Sequence, residues 1–265
     1  IDLQDSKSHP RGWATNLSHQ RKLTSYQVEM YWYENYAGTL PETVKVPHLL
    51  YSEKKDNAQD LVLEDLSIEF PKLKEQCTFQ EAKTVVKWLA QFHASYLGEI
   101  PNGLWEVGTY WHFDTRPQEL AVIDDQSLKE AAPLIDEKLN ACKYKTFVHG
   151  DAKLANFCFA KDGQVGGVDF QYVGGGCGMK DVAYFIGSCL NERDCEHLEN
   201  QILDTYFDYL QIAMKKRNKE LEVEWRSMYR VAWADFHRFL KGWNPDHWKI
   251  NSYSERVTSE VIKRL

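Results

Sequence analysis

Apolar residues recur at helical spacing over much of this chain and break elsewhere into short runs bounded by turns. Val85, Trp88, Leu89, Phe92 and Tyr96 follow the i, i+3, i+4 pattern of a stripe facing a core. Just upstream, Thr78-Phe79-Gln80-Glu81 is a capping box, so a helix is predicted from residue 79. Leu198, Ile202, Leu203, Phe207 and Leu210 make a further helical stripe. Between the two, a helix over about 127–143 is expected, with Pro133 near its first turns or at a kink. Another, heavily aromatic, is predicted over Tyr26–Tyr36, capped by Thr24 or Ser25 and ended by Gly38 and Pro41. The polar first 25 residues, with Pro10 and Gly12, read as loop.

Extended runs are shorter. Val44–Pro47 and Leu49–Tyr51 form a strand region, Asp56–Gln59 a turn, and Leu61-Val62-Leu63 a fully apolar strand. Thr146-Phe147-Val148 is an extended lead-in to a loop. Phe157–Ala160 and Gln164–Val168 then flank Lys161-Asp162-Gly163, and Asp-Gly readily takes the positive φ values of a tight reversal. A hairpin brings its ends together, so Asn156 and Asp169 become neighbours, with Asp151 in the loop just upstream.

That pairing is chemically informative. Phosphoryl transfer needs a carboxylate to orient the attacking hydroxyl and oxygen ligands to hold Mg²⁺ on the nucleotide phosphates. Asp151, Asn156 and Asp169 supply that set in the order kinase-type sites use, and oxygen ligands with no Cys or His beside them suit Mg²⁺ rather than zinc. His149 reads as a loop brace more than a chemical group, though it stands among the catalytic candidates. Lys153 either neutralises a transferring phosphate or is a solvated loop charge.

At these residues the chain resembles the aminoglycoside phosphotransferase and choline kinase superfamily, in particular its ecdysteroid-kinase-like branch. The resemblance rests on Leu61–Leu66, Trp88–Ala94, His149–Asn156, Val168–Gln171 and Asp181–Phe185, and spans about residues 26–190. It implies an α+β, two-lobed protein-kinase-like fold with a small, incomplete, β-containing N-lobe (1–63) and a mostly helical C-lobe (64–265). The hinge falls at about 61–66, the catalytic loop at 149–156 and a helical acceptor-binding region at 190–265. It also implies transfer of the γ-phosphate of ATP or GTP to a small-molecule hydroxyl, with Asp151 as catalytic base and Asn156 and Asp169 as metal ligands. Asp181 matches the family's structural Asp, expected to cap or brace the loop.

On this reading Glu64, Asp65 and Leu66 offer mainly backbone groups to an adenine edge. Glu29 stands where the family places the Glu that pairs with a strand Lys. No glycine-rich phosphate loop is visible ahead of it, and Lys7 and Lys22 lie in no apolar strand; N-terminal strands missing from the sequence are the expected reason. The glycine-rich run 174–178 is expected to be an activation-segment-like loop, and His93 a packed, hydrogen-bonded histidine. Tyr229, Trp233, Asp235, Phe236, His237, Trp243 and Trp248 are either core packing or a wall for a cationic or ring-bearing acceptor.

Composition narrows the classes. With 43% apolar and 27% charged residues the chain is ordinary for a globular protein. A net charge of −7 argues against a nucleic-acid surface, and no apolar run reaches the ~20 residues of a membrane span. Six cysteines without a C-x-x-C pair, and no signal peptide at Ile1, point to reduced thiols in a cytoplasmic enzyme. Two other readings stay open: a non-catalytic, kinase-like nucleotide-binding module, and a metal-dependent phosphoester hydrolase using the same oxygens. The sequence is silent on oligomeric state.

Overall fold

The structure is a computed structural model and describes residues 16–55 and 58–265. Lys7 and the predicted turn residues Asp56 and Asn57 therefore lie outside the described residues. Helix α1 (Asn16–Asn35) leads to a two-stranded antiparallel hairpin, β1 (Leu49–Lys55) and β2 (Ala58–Leu63). Helices α2 (Phe79–Ser95), α3 (Pro117–Ala121) and α4 (Gln126–Asn140) follow. Four short strands come next: β3 (Thr146–Val148), β4 (Phe157–Phe159), β5 (Val165–Gly167) and β6 (Gly174–Gly176). Helices α5 (Met179–Cys189), α6 (Glu192–Ala213), α7 (Lys219–Trp243) and α8 (Ser252–Ile262) close the chain. This is the two-lobed kinase-like arrangement, a small β-containing N-lobe beside a helical C-lobe.

The first helix begins about ten residues earlier than expected. Thr24 and Ser25 do not cap it; their hydroxyls bond back to the carbonyls of Gln20 and Lys22 inside the helix. Its apolar residues form no single stripe ahead of Val28, so periodicity gave no sign of those turns. Where it is buried it is anchored strongly. Trp32 is fully buried and stacks on Phe170 at 3.6 Å between centroids, with the planes 8° apart, and Tyr33 meets the same ring edge-on.

The 61–63 strand forms as the end of β2, which hides only alternate residues against β1 and leaves Val62 47% exposed. One loop expectation needs correction. The run 174–176 is not a free loop but strand β6, paired antiparallel with β3. Its glycines are needed by contact rather than by flexibility. A Cβ on Gly174 would stand 2.2 Å from the carbonyl oxygen of Trp105, because the segment 105–108 crosses directly over the strand.

The capping box on α2 forms as predicted, with Thr78 Oγ1 accepting from the Glu81 N–H and the Glu81 carboxylate accepting from the Thr78 N–H. Val85, Trp88, Leu89, Phe92 and Tyr96 are all buried, and α2 packs along α6. Trp88 also ties the lobes together: its indole N–H donates to the Lys45 carbonyl, which accepts the Gly167 N–H of β5 as well. Pro133 sits inside α4 without ending it. No helix among the described residues is long and apolar enough to cross a membrane.

Because Trp32 fills the space over Phe170, Trp32→Ala is expected to cost about 3–5 kcal/mol of stability, read as a lower denaturation midpoint in urea. Trp32→Phe, which keeps a stacking ring, should recover most of that loss.

Candidate active site

Local backbone chemistry builds the loop that carries Asp151. Gly150 has φ +79°, and a Cβ there would lie 2.0 Å from the Tyr172 carbonyl oxygen, so only glycine fits. After it the chain turns tightly: Lys153 N–H donates to Asp151 C=O at 2.7 Å, and Asn156 N–H to Lys153 C=O at 2.9 Å. Ser188 of α5 accepts the Leu154 N–H at 2.8 Å. The β4–β5 hairpin then reverses at Gly163 (φ +89°) and is closed by Val168 N–H donating to Asn156 C=O at 3.0 Å. That bond sets Asn156 beside Asp169.

Two buried residues hold this loop in place. Asp181 of α5 accepts the N–H groups of both His149 (2.5 Å) and Gly150 (3.0 Å), and its Oδ2 also meets His93 Nε2 at 3.0 Å. His93 is in turn bonded to the Tyr206 hydroxyl at 2.7 Å, as a packed histidine would be. His149 bridges the two chain segments: its Nδ1 accepts the Asp151 N–H, so Nε2 carries the proton and donates to Val168 C=O at 3.0 Å. Burial pushes its pKa below the usual histidine value, which keeps the ring neutral. Both ring nitrogens are spent on backbone, so His149 positions the loop and has no free nitrogen for proton transfer.

Three oxygen-bearing side chains converge here. Asp151 Oδ2 contacts Lys153 Nζ at 2.5 Å and Asn156 Nδ2 at 3.1 Å, while its Oδ1 is buried without a partner. The Asn156 amide nitrogen also donates to Asp151 C=O at 2.8 Å, which leaves its Oδ1 as the atom that could hold a metal. Asp169, held at φ +69°, likewise has a buried Oδ1 with no partner. Such a backbone angle is uncommon outside glycine, and strain of this kind concentrates at functional sites. Burial pushes the Asp151 carboxyl above the ordinary aspartate range, with Lys153 opposing and Asp169 adding to the effect.

Unpaired buried carboxylate oxygens are costly, and a divalent cation is the natural means of satisfying them. The donor set fits Mg²⁺: hard oxygens, few in number, leaving room for phosphate and water. Among the described residues no group of three or more His, Cys, Asp or Glu is arranged to hold a metal by itself.

Glu29 of α1 reaches the same place. Its Oε1 accepts the Phe170 N–H at 3.1 Å, and burial, with Asp169 adding its charge, raises its pKa to about 7. Lys22 stays on α1 with its ammonium 5.9 Å from the Tyr26 ring, not in a strand. At the proposed hinge, Glu64 is already engaged: its N–H donates to His48 C=O, and its carboxylate accepts from His48 N and meets His48 Nδ1. Asp65 caps the short turn 66–68, and Leu66 packs with Phe70 and Cys158 against Val168, the residue before Asp169. Asp235 is sealed by Arg238 and the Trp111 indole, and is no acceptor ligand. Two residues at the site gave no sequence signal of a role there: Tyr184 on α5, beside Asp151, and Lys249 in the connection between α7 and α8.

The Glu29 carboxyl sets a pH dependence in metal-free buffer. Between about 4.5 and about 7 the folded protein keeps a proton on Glu29 that the unfolded chain has released, so stability falls as pH rises through that window. The fall should reach up to about 3 kcal/mol, and Glu29→Gln should flatten it; unfolding curves at pH 5 and pH 7.5 in EDTA measure both.

Comparison with known proteins agrees with this geometry. Residues 109–219, which contain Asp151, Asn156 and Asp169, match the profile of the Ecdysteroid kinase-like family. No curated protein matches the sequence. Among solved structures, an amicoumacin kinase in complex with AMP-PNP, Ca²⁺ and Ami superposes with a TM-score of 0.59 at 11% identity, covering 93% of this chain and 78% of that one. The GDP complex of an aminoglycoside 2′-phosphotransferase gives 0.51 at 13% identity, covering 92% and 84%. Choline kinase from Streptococcus pneumoniae gives 0.51 at 13%, covering 95% and 83%. At such identities the structures establish a shared fold. The segment that carries the site is therefore similar to the ecdysteroid kinase-like family, within the fold of aminoglycoside and choline kinases.

Proposed function

We propose that this protein is a Mg²⁺- and nucleotide-dependent phosphotransferase acting on the hydroxyl of a small molecule. One observation carries the reading: Asn156 is locked to Asp151 through its Nδ2, and buried, unpartnered oxygens of Asp151 and Asp169 stand beside it. The kinase-like match over 109–219 supports it, as do the fold relatives, one solved with AMP-PNP, Ca²⁺ and Ami and another with GDP.

In this reading Asn156 Oδ1 and Asp169 hold Mg²⁺, which supplies charge neutralisation on the nucleotide phosphates. Asp151 accepts a hydrogen bond from the acceptor hydroxyl and takes its proton as the oxygen attacks phosphorus. Its raised pKa makes it a better proton acceptor than an exposed aspartate. Lys153, paired with Asp151 and one-third exposed, releases that contact to meet the transferred phosphoryl group. The hinge is placed at 61–66, where the nucleotide base would pair mainly with backbone from Glu64 to Leu66 beside the Leu66–Phe70–Cys158 cluster. The donor is ATP or GTP, and a cytoplasmic location suits either.

A second reading is a nucleotide-binding module without turnover, and the short Lys153–Asp151 ion pair favours it because it occupies the base. Asp151→Asn separates the two. Turnover should drop by about 10²–10⁴-fold while Mg²⁺-nucleotide binding persists, measured by an ATP-consumption assay over an alcohol library and by thermal stabilisation. Wild-type stabilisation by nucleotide with no phosphate transfer to any alcohol would instead establish the module.

A further inference from the structure

The aromatic wall beside Asp151 is already occupied by a cation. Lys249 extends from the 244–251 connection, and its Nζ lies 4.7 Å from the Tyr184 ring centroid, 5.5 Å from Phe236 and 5.6 Å from Trp248. Tyr184 and Phe236 are buried and pack on one another at 4.5 Å. Tyr184 also lies beside Asp151, which puts the caged ammonium at the acceptor side of the proposed base. The charged groups facing it are Asp151 and Lys153, together with the Cys189 thiol.

This ammonium is under-satisfied. It makes no hydrogen bond or ion pair with the described residues, and three ring faces line it. Asp151 faces it but does not come within ion-pair distance; the Asp151 ion pair is with Lys153. Lys249 is partly buried, with Trp248 61% exposed at the open side of the rings, and ring faces return part of the hydration such a cation loses but not its hydrogen bonds. Burial accordingly lowers its pKa to about 8. A cation so placed lacks one thing, an oxygen with negative charge.

Building on the phosphotransferase reading, we propose that Lys249 is the acceptor-recognition residue: its ammonium binds an oxyanion carried by the hydroxyl acceptor, and by filling the cage it excludes acceptors bearing a quaternary ammonium. Phe236 and Trp248, which from sequence were either core packing or part of a seat for a cationic acceptor, are thereby turned to the opposite specificity.

The test uses the full chain labelled with [¹³C]lysine, with the Lys249 ε-carbon signal assigned by its absence in Lys249→Met. Glycerate, glycerol and choline serve as anionic, neutral and cationic alcohols of similar size. Glycerate should move the Lys249 signal at concentrations at least about tenfold below those at which glycerol does, and choline should leave it in place. In calorimetry, Lys249→Met should lose that preference for glycerate while Lys249→Arg retains it. Binding of choline equal to or tighter than glycerate, a Lys249 signal unmoved by glycerate, or an unchanged preference in Lys249→Met would each overturn the proposal. Asp151→Asn should keep the glycerate response, so recognition is read from binding and phosphotransfer from turnover. A glycerate-dependent shift with no turnover refutes the enzyme reading alone; turnover with no anion preference refutes the role of Lys249 alone.

Discussion

A single buried carboxylate, that of Asp181, fixes the geometry on which the site depends. It accepts the backbone N–H groups of His149 and Gly150, two donors that would otherwise be orphaned inside the protein, and is itself steadied by His93. With the loop start pinned, His149 can reach across to Val168, and the hairpin closes through Val168 and Asn156. Everything chemical hangs from that chain of contacts. Buried polar networks of this kind specify one arrangement because each half-satisfied alternative costs a desolvated group.

The second constraint is electrostatic. Glu29, Asp151 and Asp169 converge around the start of the Asp169–Gln171 segment, and Lys153 is the cation that pairs with one of them. Burial, with the charge of Asp169 adding to it, raises the pKa of Glu29 and of Asp151. The protein retains the conflict because Trp32, Tyr33 and Phe170 lock α1 against this segment irrespective of charge. Packing thus supports an arrangement that electrostatics alone would spread apart, and such a concentration of negative charge is what a divalent cation and a polyphosphate together relieve.

Much of this was legible from residues alone. The capping box at Thr78, the stripe on α2, the reversal at Asp162-Gly163 and the convergence of Asn156 with Asp169 all follow from local rules of spacing and turn chemistry. The misreadings share a cause. The early start of α1 was hidden because Thr24 and Ser25 have side chains that serve equally as caps or as internal back-bonders. The glycine run 174–176 reads as freedom in one dimension, yet in three it is the closeness of Trp105 that demands it.

By itself the sequence determined the kinase-like order of oxygen ligands and the helices that support them, since these depend on contacts between residues near in the chain. Only the tertiary structure decided what surrounds them: that His149 spends both nitrogens on backbone, that Glu29 shares a buried site with Asp169, and that Lys249 fills the aromatic wall. Those facts join His149 to Val168, Lys249 to Tyr184 and Glu29 to Asp169, residues distant in the chain, and no local pattern encodes a distance that only the packed core sets.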